Sequence, residues 1–170
     1  THRPNFPTAS ERILINVSVN QAIIAFRSAK QVAALRRSES NLRDFVENAA
    51  VGLHWVNADG IIIWANQAEM KMLGYESAEY IGRHIAEFHL DARVKEDMLE
   101  PLMRGESLRE FETRMRCKDV SFRHVVINSN GLFENGKFLH TRCFTRDISK
   151  RKQAEKASIE ASEHRRLALE

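Results

Sequence analysis

Long hydrophobic runs are missing from this 170-residue sequence. No apolar stretch approaches the roughly 18 residues that a membrane-spanning helix needs, and the N-terminus lacks the charged start and apolar centre of a signal peptide. We therefore expect a cytoplasmic chain without membrane contact. The sequence starts without Met and stops inside a helical pattern at Glu170, so we also expect a fragment of a longer protein, in which a membrane span elsewhere stays open.

Cysteine is scarce, and the histidines are poorly spaced for metal binding. No two of the seven histidines stand at i and i+4, and C-x-x-C is absent, which argues against a metal site. The two cysteines, Cys117 and Cys143, fall on the first and last of three predicted strands. Since the middle strand should separate them, we expect reduced thiols rather than a disulfide, with a redox role as the alternative.

An excess of one charge sign is also missing, because 26 basic residues are balanced by 23 acidic ones. The basic clusters occur on predicted helices mixed with Glu, which is typical of a solvated helical face. Without a helix-turn-helix or zinc-finger signature, we expect no nucleic-acid partner. No Ser-His-Asp or Cys-His signature and no glycine-rich phosphate loop is present, so the chain itself should not be an enzyme.

Turn and capping signals organise residues 51 to 149. Asp59-Gly60 lies between two apolar runs and predicts a hairpin with a tight type I′ turn. Asn66 predicts a helix N-cap with Glu69 as its capping-box partner, and Gly74 predicts the end of that short helix.

The rest of this segment predicts a longer helix and three strands. The helix should run from Asp91 to Arg104 and kink or restart at Pro101. Of the turns joining the three strands, Asp119-Val120 should be longer or bulged because a β-branched residue resists positive φ, whereas Asn135-Gly136 is favourable. The fold class is therefore α+β, with a five-stranded antiparallel sheet and short helices on one face.

The motifs of this segment resemble a PAS domain of the bacterial sensor-kinase type. The resemblance is carried by WVNADGIIIWANQAEMKMLGY, IGRHIAEF, RCK-D and TRCFTRDIS followed by KRKQAE. It implies three parts: an N-terminal linker helix over residues 1–48, the PAS domain over 49–149, and a C-terminal signalling helix over 150–170.

The N-terminal part has the pattern of a long amphipathic helix. Thr8 and Glu11 form a capping box, and apolar residues recur at helical spacing as far as Asn48. A stripe on a helix with no core of its own favours packing on a second copy or on the PAS sheet, and we expect a homodimer through this helix. The segment is also similar to the last helix of a GAF domain, and an ordinary linker is the alternative. A break between Ser38 and Asn41 stays open.

The resemblance further implies a ligand cavity between sheet and helices, although each candidate also suits plain core packing. The candidate cavity residues are Trp55, Trp64, Asn66, Met70, Leu73, Phe88, Met115, Ile127 and Phe144. Haem-binding relatives present a histidine from the longest internal helix, which has none here; His89 is the nearest. Flavin photoreceptors carry a cysteine where this chain has IGRHIAEFHLD. We predict no cofactor, with haem and non-covalent flavin left open and an unidentified small molecule as a further partner.

The most specific motif is Asp147-Ile148-Ser149, ahead of the C-terminal helix. The resemblance implies that these residues relay a signal from the sheet to that helix. We therefore expect a sensory or relay module of a bacterial signal-transduction protein whose histidine kinase domain lies outside this chain. The alternatives are a ligand-free dimerisation scaffold, or a module serving a cyclic-dinucleotide cyclase or other output.

Overall fold

The computed structural model of the chain describes residues 7–90 and 93–167. By its internal contacts the chain divides into two compact units, Thr1–Phe45 and Val46–Glu170. Within the described residues, no helix combines the length and apolar character needed to cross a lipid bilayer.

Helix α1 spans Ala9–Glu47 without interruption, which settles the question of a break near Ser38. It begins at the predicted capping box, where the Thr8 amide donates to Glu11 Oε2 and the Glu11 amide donates to Thr8 Oγ1. None of the 39 residues of α1 is buried. The apolar stripe of α1 is therefore exposed in the monomer.

Five antiparallel strands form one sheet in the order β2-β1-β5-β4-β3, which confirms the predicted fold class. The strands are β1 (Gly52–Val56), β2 (Ile62–Ala65), β3 (Ser107–Arg116), β4 (Phe122–Glu134) and β5 (Lys137–Asp147). Because β4 lies between β3 and β5, the buried thiols of Cys117 and Cys143 are held apart.

Short helices join β2 to β3 and contribute to a core against the sheet. They are α2 (Gln67–Leu73), α3 (Ser77–Tyr80), a 3-10 turn (Ile85–Glu87), a π-helix (Lys95–Leu99) and α4 (Glu100–Met103). The π-helix gives way to α4 one residue before Pro101, so the predicted restart is confirmed. The predicted start of this helix at Asp91 lies outside the described residues. After β5, helix α5 spans Ser149–Leu167.

The β1–β2 turn differs from the predicted type I′ geometry. Only Gly60 has a positive φ (80°), whereas a type I′ turn needs two such residues. The Gly60 amide donates to the Asn57 carbonyl, and the Asn57 side chain accepts the amides of Asp59 and Ile61. The Asn57 side chain thus organises a wider five-residue turn.

The β3–β4 turn has the same geometry, with Val120 at the position that Gly60 occupies in the β1–β2 turn. The Cys117 amide donates to the Ser121 carbonyl, and the Val120 amide donates to the Cys117 carbonyl. Val120 adopts a φ of 61°, the positive φ that a β-branched residue was expected to resist, and the turn over residues 117–121 is longer than a two-residue hairpin, as predicted. The strand register beside the turn continues without a bulge.

Candidate functional site

A cluster of polar side chains lies on the face of the sheet that packs against the helices; we call it the His54 cluster. Side chains alternate between the two faces of a strand, and residues paired across strands share a face. His54 pairs with Cys143 across β1 and β5, and both side chains are buried. The remaining members of the cluster are Glu69, Tyr80, Ser129, Thr141 and Thr145, all buried.

Glu69 is the centre of this cluster. Its Oε1 lies 3.0 Å from His54 Nδ1, accepts the Tyr80 hydroxyl at 3.2 Å and lies 3.5 Å from Thr145 Oγ1. Its Oε2 is buried and has no hydrogen-bond partner among the described residues. Gly52 makes room for this oxygen, since a Cβ at Gly52 would lie 2.1 Å from Glu69 Oε2. Glu69 thus faces inward and is not the capping-box partner that the sequence predicts.

The Cys143 thiol occupies the second half of the cluster. Its Sγ lies 2.9 Å from Ser129 Oγ and donates to Thr141 Oγ1 at 3.3 Å. The same Thr141 oxygen accepts the Val56 amide at 3.0 Å. These hydroxyls satisfy a thiol that plain core packing would leave without partners.

The pKa values of the cluster are displaced by burial and by mutual charge interactions. Burial lowers the pKa of His54, but the neighbouring Cys143 and Glu69 outweigh it and hold this pKa well above its ordinary value. Burial, reinforced by Glu69, raises the pKa of Tyr80 well above its ordinary value, which keeps the phenol neutral. The raised pKa favours a protonated His54, whose Nδ1 lies at salt-bridge distance from Glu69 Oε1 in the buried interior.

A small cavity adjoins His54, Thr141 and Cys143. Its volume is about 20 Å³, and its remaining lining is apolar: Val56, Ile85, Val94, Met98, Leu99 and Leu102. Such a volume holds about one water molecule, whereas cofactor pockets enclose roughly 300 Å³ or more. This cavity is therefore too small by itself to hold a flavin or a haem.

The predicted cavity residues separate into three groups, and none of them lines this cavity. Five contribute to the apolar core: Met70, Leu73, Phe88, Met115 and Ile127. Trp55, Trp64 and Phe144 lie instead on the outer face of the sheet, opposite the helices. Trp55 pairs with Trp64 in the ladder, and its ring lies 4.7 Å from the rings of Trp64 and His140.

The side chain of Asn66 uses all its hydrogen-bonding positions on backbone groups. Its Oδ1 accepts the amides of Leu53 and Glu69, and its Nδ2 donates to the carbonyls of Val46 and Val51. Two acceptor and two donor positions exhaust the hydrogen-bonding capacity of this amide. Asn66 is therefore the predicted N-cap of α2 and has no polar group left for a ligand.

The predicted relay residues form a compact junction between β5 and α5. Asp147 Oδ1 accepts the Ser149 amide at 2.8 Å, and Asp147 Oδ2 accepts Arg123 Nη1 at 3.1 Å. The Ile148 amide donates to the His124 carbonyl, and the His124 amide donates to Ser149 Oγ at 3.0 Å. All three relay residues are thus hydrogen-bonded within a junction that includes β4.

Two further cations attach the first turn of α5 to β3. Arg151 Nη2 lies 2.7 Å from Glu112 Oε1, and Lys152 Nζ lies 2.6 Å from Glu112 Oε2. Lys152 and Arg151 hold the pKa of Glu112 below its ordinary value. Glu112 is not among the predicted relay residues, since nothing in the local pattern links it to a helix 37 residues later.

His54 and Glu69 were likewise not among the predicted site residues, and Glu69 was predicted only as a capping partner. Strand alternation could have found His54, because it lies between Gly52 and Val56 on the buried face of β1. Nothing local distinguishes Glu69 from a capping residue. Among residues 7–90 and 93–167, no group of three or more His, Cys, Asp and Glu side chains is arranged to hold a metal ion.

Comparison with known proteins assigns the family. The family described as PAS domain matches residues 48–150. The PAS domain of an HTR-like protein from Haloarcula marismortui is 28% identical, with a TM-score of 0.62 over 71% of this chain and 99% of that one. No curated protein sequence matches the chain.

Two more distant structures share the fold. A domain of a sensory box sensor histidine kinase/response regulator from Geobacter sulfurreducens is 21% identical, with a TM-score of 0.57 over 66% of this chain and 96% of that one. The LOV protein of Rhodobacter sphaeroides is 14% identical, with a TM-score of 0.58 over 72% of this chain and 73% of that one. Because the family match spans more than half of the sequence, the chain belongs to the PAS domain family.

Proposed function

We propose that this chain is a sensory or relay PAS module of a bacterial signal-transduction protein, and that it acts in the cytoplasm. The signal passes from the sheet through α5 to an output domain outside this chain, which we take to be a histidine kinase. Similarity to a sensor histidine kinase domain supports this choice at the level of fold. A cyclic-dinucleotide cyclase is the alternative output.

The junction at Asp147 is the observation that carries the proposal. Only Ile148 separates β5 from α5, and the hydrogen bonds of Asp147 and Ser149 leave little freedom between the two elements. A carboxylate at the start of a helix accepts free amides and interacts favourably with the positive end of the helix. A change in the twist or register of β5 would therefore reorient α5 rather than be absorbed in a loop.

The test is Asp147→Ala in the full-length parent. The variant should remain folded but lose regulation of output, because α5 is no longer fixed to the sheet. Asp119→Ala is the matched control, since Asp119 accepts the Ser121 amide in the same i to i+2 geometry within the β3–β4 turn. Normal regulation in Asp147→Ala, or equal loss in both variants, would contradict the proposal.

The size of the cavity favours a second candidate, a ligand-free scaffold or relay. A space of about 20 Å³ admits no ordinary metabolite in this conformation. Native mass spectrometry of the purified protein together with an absorbance scan separates the candidates. A bound small molecule or a chromophore supports sensing by ligand, whereas a clean apo mass supports the scaffold or relay.

We further propose that the module is a homodimer paired through α1. Five apolar side chains of α1 are each more than 60% exposed: Leu14, Ile24, Leu35, Leu42 and Phe45. Exposing this much apolar surface to water is unfavourable for an isolated helix. Solution mass should fall from dimer to monomer when residues 1–40 are removed. Leu35→Lys should weaken the dimer, whereas Ser40→Lys, outside the stripe, should not. A monomeric intact chain would refute the proposal.

A further inference from the structure

The relay junction does not explain why charged and titratable groups are buried beneath the sheet. We propose that the His54–Glu69 pair is a proton-binding site through which the domain reads pH, and that Thr145 carries its state to the Asp147 junction. The inference rests on the proposed relay function and names the signal that this relay would transmit.

The pair joins the three elements that would have to move together. His54 lies on β1, Glu69 on α2 and Thr145 on β5. Thr145 Oγ1 lies 3.5 Å from both His54 Nδ1 and Glu69 Oε1, and only Arg146 separates it from Asp147. A change in the pair is thus one hydrogen bond and two residues from the junction.

Few other ionisable groups face the pair. Tyr80 on α3 donates its hydroxyl to Glu69, and Cys143 on β5 pairs with His54 across the ladder. The π-helix and α4 contribute the apolar residues Met98, Leu99 and Leu102 to the neighbouring cavity. Cys143 acts together with Glu69 to favour the protonated form of His54, so the energy of the pair depends on the proton that His54 carries.

Removing this proton would leave Glu69 as a buried carboxylate without a cation. Its Oε2 already lacks a partner among the described residues, so the cost of burial cannot be spread over further hydrogen bonds. Without a cation beside it, the carboxylate would move with α2 toward water. This movement would alter its contact with Thr145.

The direction of the response follows from the raised pKa of His54. A raised pKa stabilises the folded state fully below the ordinary value of 6.5, and this contribution is lost as pH rises through the folded-state pKa. We therefore expect the pair to be intact at neutral pH and to break under alkaline conditions. The switch responds to a rise in pH.

The test measures two properties of the wild-type chain over a range of pH. NMR of isotope-labelled histidine gives the His54 titration, and hydrogen exchange gives the protection of the Ile148 and Lys152 amides, which are hydrogen-bonded at the start of α5. Exchange rates are corrected for intrinsic base catalysis. In the wild type, protection should fall about tenfold, equivalent to about one pKa unit of coupling, as His54 loses its proton.

Glu69→Gln removes the charge with little change in shape. The His54 pKa should fall by at least about one unit, and the loss of protection should move with it or disappear. His140→Gln is the matched control, because His140 stacks on Trp55 at the outer face of the sheet. His140→Gln should leave the His54 titration and the pH dependence of α5 protection as in the wild type.

Different outcomes test the pH-sensing role of the His54–Glu69 pair and the relay role of the Asp147 junction separately. If His54 keeps its wild-type titration in Glu69→Gln, or if α5 protection ignores the wild-type His54 titration, the pH inference is overturned. If Asp147→Ala leaves α5 protection unchanged at every pH, the relay itself fails. Should Glu69→Gln not fold, the two wild-type curves still decide: a coincident transition supports the inference, and separate transitions overturn it.

Discussion

Substituting Gly52 by Ala should disrupt the His54 cluster through a single added methyl group. The new Cβ would lie 2.1 Å from Glu69 Oε2 and 3.2 Å from the Thr145 carbonyl. The carbonyl can yield by a few tenths of an ångström, but the carboxylate cannot remain where it is. Glu69 must leave, and His54 then loses its partner.

The magnitude follows from two opposing effects. Breaking a buried ion pair costs about 3–5 kcal/mol, whereas Ala in place of Gly within a strand gains about 0.5–1 kcal/mol. We therefore expect Gly52→Ala to lower the free energy of unfolding by about 3 kcal/mol. This corresponds to a fall in Tm of roughly 10 °C.

Urea unfolding of a double-mutant cycle provides the assay. In the Glu69→Ala background the added methyl group has space, so Gly52→Ala should be neutral or slightly stabilising there. The coupling between the two sites would then be close to the cost of the single substitution. An equal loss of stability in both backgrounds would refute the reasoning, because the clash would not involve Glu69.

Three further predictions test other parts of the structure. Val120→Gly should raise the free energy of unfolding by about 1 kcal/mol in urea titrations, because it relieves a positive φ. Gly60→Ala at the equivalent turn position should instead destabilise the fold, since its Cβ would lie 2.4 Å from His84 Nε2. Asn66→Ala should cost about 3 kcal/mol in thermal unfolding because it leaves several amides and carbonyls unpaired, and Asn66→Asp, which keeps the acceptor, should cost less. Glu112→Gln should slightly reduce hydrogen-exchange protection at the start of α5, and this difference should vanish at high salt, where the exposed pairs with Arg151 and Lys152 are screened.

The sequence by itself determined the order of elements, their caps and most of their ends. Asn66, Gly74 and Pro101 act on their own neighbours through amide capping, positive φ or a missing donor, so their effects can be predicted locally. The β5–α5 junction was predictable for the same reason, because Asp147 and Ser149 interact two residues apart.

Only the tertiary structure decided which face each side chain occupies and which distant groups meet. A shift of one residue in strand register exchanges the two faces, so Trp55 could look like a cavity residue while His54 was the one facing inward. The local sequence predicted Glu69 as a capping partner. It contacts His54 instead, because Gly52 leaves space for its carboxyl group. The cavity was set by packing density between sheet and helices, a property of side chains far apart in the sequence.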